Sequence, residues 1–64
     1  MSQYNVTVEA REELRKTLEG YMTDSIGAAL EYLRSEDAAE QIEEAGMAGQ
    51  SAASILRELT GVSA

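Results

Sequence analysis

The chain of 64 residues contains no cysteine, histidine, tryptophan, phenylalanine or proline. Without cysteine it has no disulfide, no thiolate zinc site and no cysteine nucleophile. Without histidine it lacks the usual general base and the commonest metal ligand. The serine and threonine hydroxyls therefore have no imidazole to activate them. The sole lysine, Lys16, lies among charged residues on a predicted solvent-facing surface. We expect no enzymatic activity and no cofactor or metal.

Large apolar side chains are scarce. The hydrophobic share is 44%, but ten of those residues are alanine, and valine, isoleucine and leucine together number only 12 of 64. Below roughly 20% of such residues, with a high net charge, a chain approaches the composition of disordered proteins. We therefore expect one small domain that is marginal as a monomer, and that folds as a homodimer or on a partner.

No apolar run approaches the length that crosses a bilayer. The N-terminus also lacks the basic and apolar stretches of a secretory signal. The expected location is the cytoplasm, with no membrane partner.

Residues 3–8 alternate between polar and apolar side chains. This period of two predicts a short strand. No second strand candidate follows, so the expected pairing partner is the same strand of a second copy. A tail that leads into a helix is the alternative. The apolar face would hold Tyr4, Val6 and Val8, and the polar face Gln3, Asn5 and Thr7.

Two helices are predicted next from apolar residues spaced three and four apart. The first begins near Thr7 or Val8, and the second near residue 25, after the good N-caps Thr23, Asp24 and Ser25. Gly20 weakens the first helix, although one long helix across Gly20 is an alternative because the apolar face continues in phase. The apolar positions are Ala10, Leu14, Leu18, Tyr21, Ile26, Ala29, Leu30 and Leu33.

Two further helices are predicted after Ser35 and Ser51, and Gly61 is predicted to end the last one. Between them, residues 46–49 (Gly-Met-Ala-Gly) break the pattern and are interpreted as a hinge. The apolar positions of these two helices are Ala38, Ile42, Ala45, Ala52, Ile55, Leu56 and Leu59.

The predicted fold class is mostly α: a short N-terminal strand followed by three to four short helices, in an intertwined homodimer. An all-α helical bundle is the alternative. Residues 1–34 would form the strand-helix-helix dimerisation module, and residues 35–64 an acidic helical segment. The predicted dimer core consists of Tyr4, Val6, Val8, Leu14, Leu18, Ile26, Ala29, Leu30 and Leu33.

The net charge also differs between the two predicted parts of the chain, residues 1–34 and 35–64. The net charge is −7, with −2 in residues 1–34 and −5 in residues 35–64. Glu40, Glu43 and Glu44 are read as a solvated acidic face, not as a metal site. With apolar anchors beside them, they would bind a protein partner with a basic surface. The predicted partner-binding set is Glu40, Glu43, Glu44, Ile42, Ile55, Leu56 and Leu59.

The order strand, helix, short turn, helix resembles the ribbon-helix-helix family. Residues 3–8 are similar to its ribbon, and residues 25–34 look like its second helix. The resemblance implies a dimer whose paired ribbons enter the DNA major groove, with Gln3, Asn5 and Thr7 facing the bases. It also implies a phosphate held at the amides of Thr23, Asp24 and Ser25.

The near-neutral residues 1–34 and the acidic residues 35–64 suit the antitoxin subtype of that family, in which an acidic C-terminal tail covers a toxin. The best specific prediction is therefore a dimeric DNA-binding regulator of antitoxin type. The net negative charge disfavours nucleic acid, because neutralising phosphates normally supplies most of the affinity. The alternative is an acidic helical inhibitor or adaptor that binds a basic protein surface and has no DNA role.

Overall fold

The computed structural model describes residues 5–64, which form four helices. Helix α1 spans Val6–Met22, α2 Ile26–Leu33, α3 Glu36–Glu44 and α4 Ala52–Thr60. All three shorter helices pack against α1, and α2 also contacts α3 and α4. The first two helices therefore form the centre of an all-α bundle, as the alternative fold class anticipated.

The predicted strand over residues 3–8 is wrong where the structure describes it. Asn5 is the N-cap of α1, and its side-chain oxygen accepts a hydrogen bond from the Val8 backbone N–H at 3.1 Å. Val6 and Thr7 also lie in the first turn of α1. The remaining residues of the predicted ribbon, Gln3 and Tyr4, lie outside the described residues.

The physical reason is local capping. Asn5 is a strong helix-capping residue, and Glu9 adds a negative charge to the first turn, where the helix dipole is positive. A helix satisfies its own backbone groups, whereas a lone strand needs a second strand. These gains exceed the small helix penalty of two valines.

The turn between α1 and α2 excludes one long helix. Gly20 stays inside α1, which ends at Met22, and the Asp24 N–H donates to the Tyr21 carbonyl at 3.0 Å. Helix α2 begins after Ser25, as predicted, because the Ser25 hydroxyl accepts from the Ala28 N–H at 3.0 Å.

The hydrophobic core closes within a single chain. Leu14 and Leu18 of α1 and Ile55 and Leu56 of α4 are buried together. Four of the ten buried apolar residues are alanines, which let helix backbones approach closely. The core cluster consists of Ala10, Leu14, Leu18, Ala29, Leu33, Ala45, Met47, Ile55 and Leu56.

The described residues of the predicted dimer core, all but Tyr4, separate into two groups. Leu14, Leu18, Ala29 and Leu33 are buried inside one chain, and Leu30 packs against them. The exposed fractions of the others are 48% for Val6, 61% for Val8 and 39% for Ile26. One chain therefore covers most of the side chains for which a second copy was invoked.

The segment predicted as a hinge is a Schellman-type helix end. The Gly46 N–H donates to Glu43 and the Met47 N–H donates to Ile42, both at 3.0 Å. Gly46 has the positive φ, 72°, that such an end requires. The Met47 side chain is fully buried and ties residues 46–49 to the core, which includes side chains from both predicted parts of the chain.

Arg11 connects three helices. Its Nε donates to the carbonyl of Ala45 at 2.9 Å, at the C-terminus of α3, and its Nη1 lies 3.1 Å from Glu58 of α4. Helix α3 has no basic residue in its last turn. Arg11 therefore supplies, from α1, the positive charge that stabilises the negative end of a helix.

None of these four helices combines the length and apolar character needed to cross a bilayer.

We predict that Leu18→Ala lowers the free energy of unfolding by about 2–5 kcal/mol, because it leaves a cavity in the core. Val8→Ala is the matched control and should change it by less than about 0.5 kcal/mol, since the side chain faces solvent. Urea unfolding followed by circular dichroism measures both. A large loss from Val8→Ala would contradict the exposed position of that residue.

Arg11→Gln should lower the free energy of unfolding by about 1–2 kcal/mol, because the Ala45 carbonyl loses a charged donor. Glu58→Gln removes only the exposed ion pair and should cost less than about 0.5 kcal/mol. Equal losses in the two variants would show that the ion pair, not the carbonyl contact, stabilises the bundle. Thermal unfolding of both variants provides the comparison.

Candidate functional site

Helix α3 carries most of the net charge. It has five acidic residues among nine and no basic one. The other 55 residues hold seven acids and five bases, a net charge of −2. The acidic residues are Glu36, Asp37, Glu40, Glu43 and Glu44, and all five are exposed. We call this the acidic face.

The C-terminal part of the acidic face is electrostatically unfavourable within the folded chain. Glu36 and Asp37 suit the positive N-terminal end of α3. Glu43 and Glu44, however, lie at the negative C-terminal end, and Glu40 and Glu44 are like charges four residues apart. Such contacts destabilise a helix by roughly 0.2–1 kcal/mol each. A bound cation would relieve them.

The ion pairs between described residues lie elsewhere. Arg15 lies 2.6 Å from Glu12 and 2.7 Å from Glu19, all on α1, and Arg11 pairs with Glu58. The hydrogen bond and charge of Arg15 hold the pKa of Glu12 below its usual value. None of these pairs includes a residue of the acidic face, so its carboxylates form no ion pair with a described residue.

An open groove adjoins the acidic face where the ends of α1 and α2 meet the start of α3. The rings of Tyr21 and Tyr32 stack there, with centroids 4.8 Å apart and planes at 23°. The groove has a volume of about 330 Å³. It is lined by Tyr21, Asp24, Ala28, Glu31, Tyr32, Ser35 and Asp37, and we call it the tyrosine groove.

Tyr32 also joins α2 to α3. Its hydroxyl donates a hydrogen bond to Gln41 Oε1 at 2.6 Å. Burial raises the pKa of Tyr32, and the nearby Tyr21 and Asp37 add to the increase. The phenol therefore stays protonated at neutral pH and remains a donor. This bond fixes one wall of the tyrosine groove.

The predicted partner-binding residues divide by chemistry. Glu40, Glu43 and Glu44 are exposed on the acidic face, whereas Ile55 and Leu56 are fully buried in the chain's own core. Ile42 and Leu59 are half-buried against that core. The acidic residues are therefore available to a partner, but Ile55 and Leu56 cannot anchor one in this conformation.

The described residues assigned to base contacts and those assigned to the phosphate lie at opposite ends of α1. Asn5 and Thr7 lie at the N-terminal end of α1, and Gln3 is outside the described residues. Thr23, Asp24 and Ser25 lie beyond the opposite end of this 17-residue helix, roughly 26 Å along its axis. Ser25 caps α2, and the Thr23 hydroxyl donates to the Glu19 carbonyl at 3.3 Å.

Sequence reasoning missed the stacked tyrosines and placed Tyr21 only on an apolar stripe. The available signal was that Tyr21 lies in the last turn of α1 and Tyr32 in the last turn of the short helix that follows. It also missed Arg11, whose partners lie 34 and 47 residues away in the chain.

Within residues 5–64, no group of acidic side chains is arranged to hold a metal ion. Comparison with family models, curated proteins and solved structures finds no match to the chain. The site must therefore be interpreted from its own chemistry.

The raised pKa of Tyr32 makes a prediction at alkaline pH. Folding favours its protonated form, so its contribution to stability is complete below the ordinary pKa of 10.0 and is lost as pH rises through the higher value in the folded state. As the pH rises above about 10, wild-type stability should fall more steeply than that of Tyr32→Phe, measured by urea unfolding.

At neutral pH, Tyr32→Phe should be less stable by about 0.5–1.5 kcal/mol, because the bond to Gln41 is lost. Parallel stability curves for the two proteins over the alkaline range would contradict the assignment.

Proposed function

We propose that the chain is a small non-enzymatic regulatory protein, an acidic inhibitor or adaptor that binds a basic surface of a protein partner through helix α3. The observation that carries this proposal is the acidic face. Its five exposed carboxylates form no ion pair with a described residue. Its electrostatic cost is of the kind that proteins retain at functional sites.

Charge complementarity gives this surface its specificity. A patch of one sign steers a partner of the opposite sign and accelerates the encounter. A lysine or arginine of the partner, bound at the C-terminal end of α3, would also relieve the repulsion between Glu40 and Glu44. Binding therefore stabilises the helix that makes the contact. The expected compartment stays the cytoplasm, as a prediction from the sequence.

DNA binding of antitoxin type stays a prediction from the resemblance. Asn5 and Thr7, assigned to base contacts on a ribbon, belong to the capped start of a helix. The described part of the predicted ribbon therefore forms the start of a helix, and the acidic face favours the protein partner as the proposal. Dimerisation likewise stays a prediction, and the proposed binding surface does not require it.

The test compares two triple variants with the same net charge. One carries Glu40→Gln, Glu43→Gln and Glu44→Gln on the acidic face. The matched control carries Glu12→Gln, Glu19→Gln and Glu58→Gln at the existing ion pairs. The probe is a short synthetic peptide rich in lysine and arginine, titrated into isotope-labelled protein at low salt and followed by NMR.

We expect the peptide to shift the amide signals of α3 most strongly. The acidic-face variant should bind about tenfold more weakly, and the control less than about threefold, because local charge and not net charge defines the surface. Equal losses would overturn the proposal, as would preferential binding of duplex DNA at low salt. Without peptide, the acidic-face variant should be at least as stable as wild type, because repulsion is removed.

A further inference from the structure

We infer that the tyrosine groove receives an arginine side chain from the basic segment of the partner. This inference rests on the proposed function, since it assumes a basic protein partner, and it names the residue that the site recognises. The tyrosine groove has two features that a guanidinium requires: an aromatic platform and several carboxylate acceptors.

The aromatic platform is preformed. Tyr21 and Tyr32 already stack on each other, and the hydrogen bond from Tyr32 to Gln41 fixes the second ring against α3. Tyr21 nevertheless leaves 41% of its surface exposed. A planar cation can stack against such a ring, and tyrosine is among the residues enriched at binding hot spots.

Three separate elements supply the carboxylates. Asp24 comes from the turn after α1, Glu31 from α2 and Asp37 from α3. Among residues 5–64, no basic side chain lines the groove. None of the three takes part in the ion pairs between described residues. Asp37 and Tyr32 line the same groove, and the charge of Asp37 adds to the increase in the pKa of Tyr32.

These features favour arginine over other occupants. Carboxylates on several sides disfavour an anion such as a phosphate group. A lysine ammonium would satisfy the charge, but it has no plane to stack on a ring and no fork to bridge two carboxylates. The groove, with a volume of about 330 Å³, has room for a side chain but is too open to enclose a free small molecule.

The experiment uses two peptides of equal length and charge, identical except that one carries a single arginine and the other a single lysine. Each is titrated into the full chain at low salt, and its dissociation constant is measured by NMR. We expect wild type to prefer arginine about three- to tenfold. Signals of residues that line the tyrosine groove should shift with the arginine peptide.

Tyr21→Leu keeps apolar bulk but removes the ring, and it should abolish the preference for arginine. Ile26→Ala, a change at an exposed apolar residue that does not line the groove, is the control and should retain it. Asp24→Asn and Asp37→Asn provide a second test if Tyr21→Leu disturbs folding, because they keep the side-chain shape and remove only the charge. Each should weaken arginine binding about three- to tenfold. Glu58→Gln should have a smaller effect.

The outcomes separate this inference from the proposed function. Equal binding of both peptides, with loss only in the acidic-face triple variant, would overturn the arginine site and leave the proposed function standing. A preference for arginine that survives Tyr21→Leu together with both asparagine variants would also overturn the site. If neither peptide bound wild type at low salt, both proposals would fall.

Discussion

The bundle depends on one narrow apolar stripe. Ala10, Leu14 and Leu18 lie on successive turns of α1 and are the residues that this helix buries. All three other helices pack against α1. The chain has few large apolar residues, which are too few to form a separate hydrophobic interface between each pair of helices. Sharing one stripe, with alanines and Met47 filling the narrow spaces, is what lets a single copy enclose a core.

Helix periodicity made much of the fold predictable. The stripes of α1 and α2, the caps Ser25 and Ser51 and the end at Gly61 are local features, and local sequence encodes them. The strand was wrong because alternation over six residues is a short signal that a single capping residue, Asn5, outweighs. The predicted dimer followed from the scarcity of large apolar side chains, and it stays a prediction.

The remaining features depend on contacts that are distant in sequence. The spacing of Ile55 and Leu56 predicts an apolar face, but it cannot say whether the chain or a partner covers that face. Met47, between two glycines, has no periodicity to mark it as a core residue. Arg11 and the stacked tyrosines meet their partners only after the helices have packed. The acidic face is different, because charge on a short helix is visible in the sequence and stays exposed in the structure.

Helix α3 is attached to the bundle differently from its neighbours. Ala38 is its one fully buried side chain, and polar bonds hold it near its C-terminal half: Gln41 to Tyr32, and the adjoining Ala45 carbonyl to Arg11. Segments with little buried apolar surface open locally before the whole domain unfolds. Backbone amides of α3 should therefore exchange with deuterium sooner than those at the centre of α1. A ligand on this helix would slow that exchange, so its effect would reach the dynamics of the chain even where its average shape stays the same.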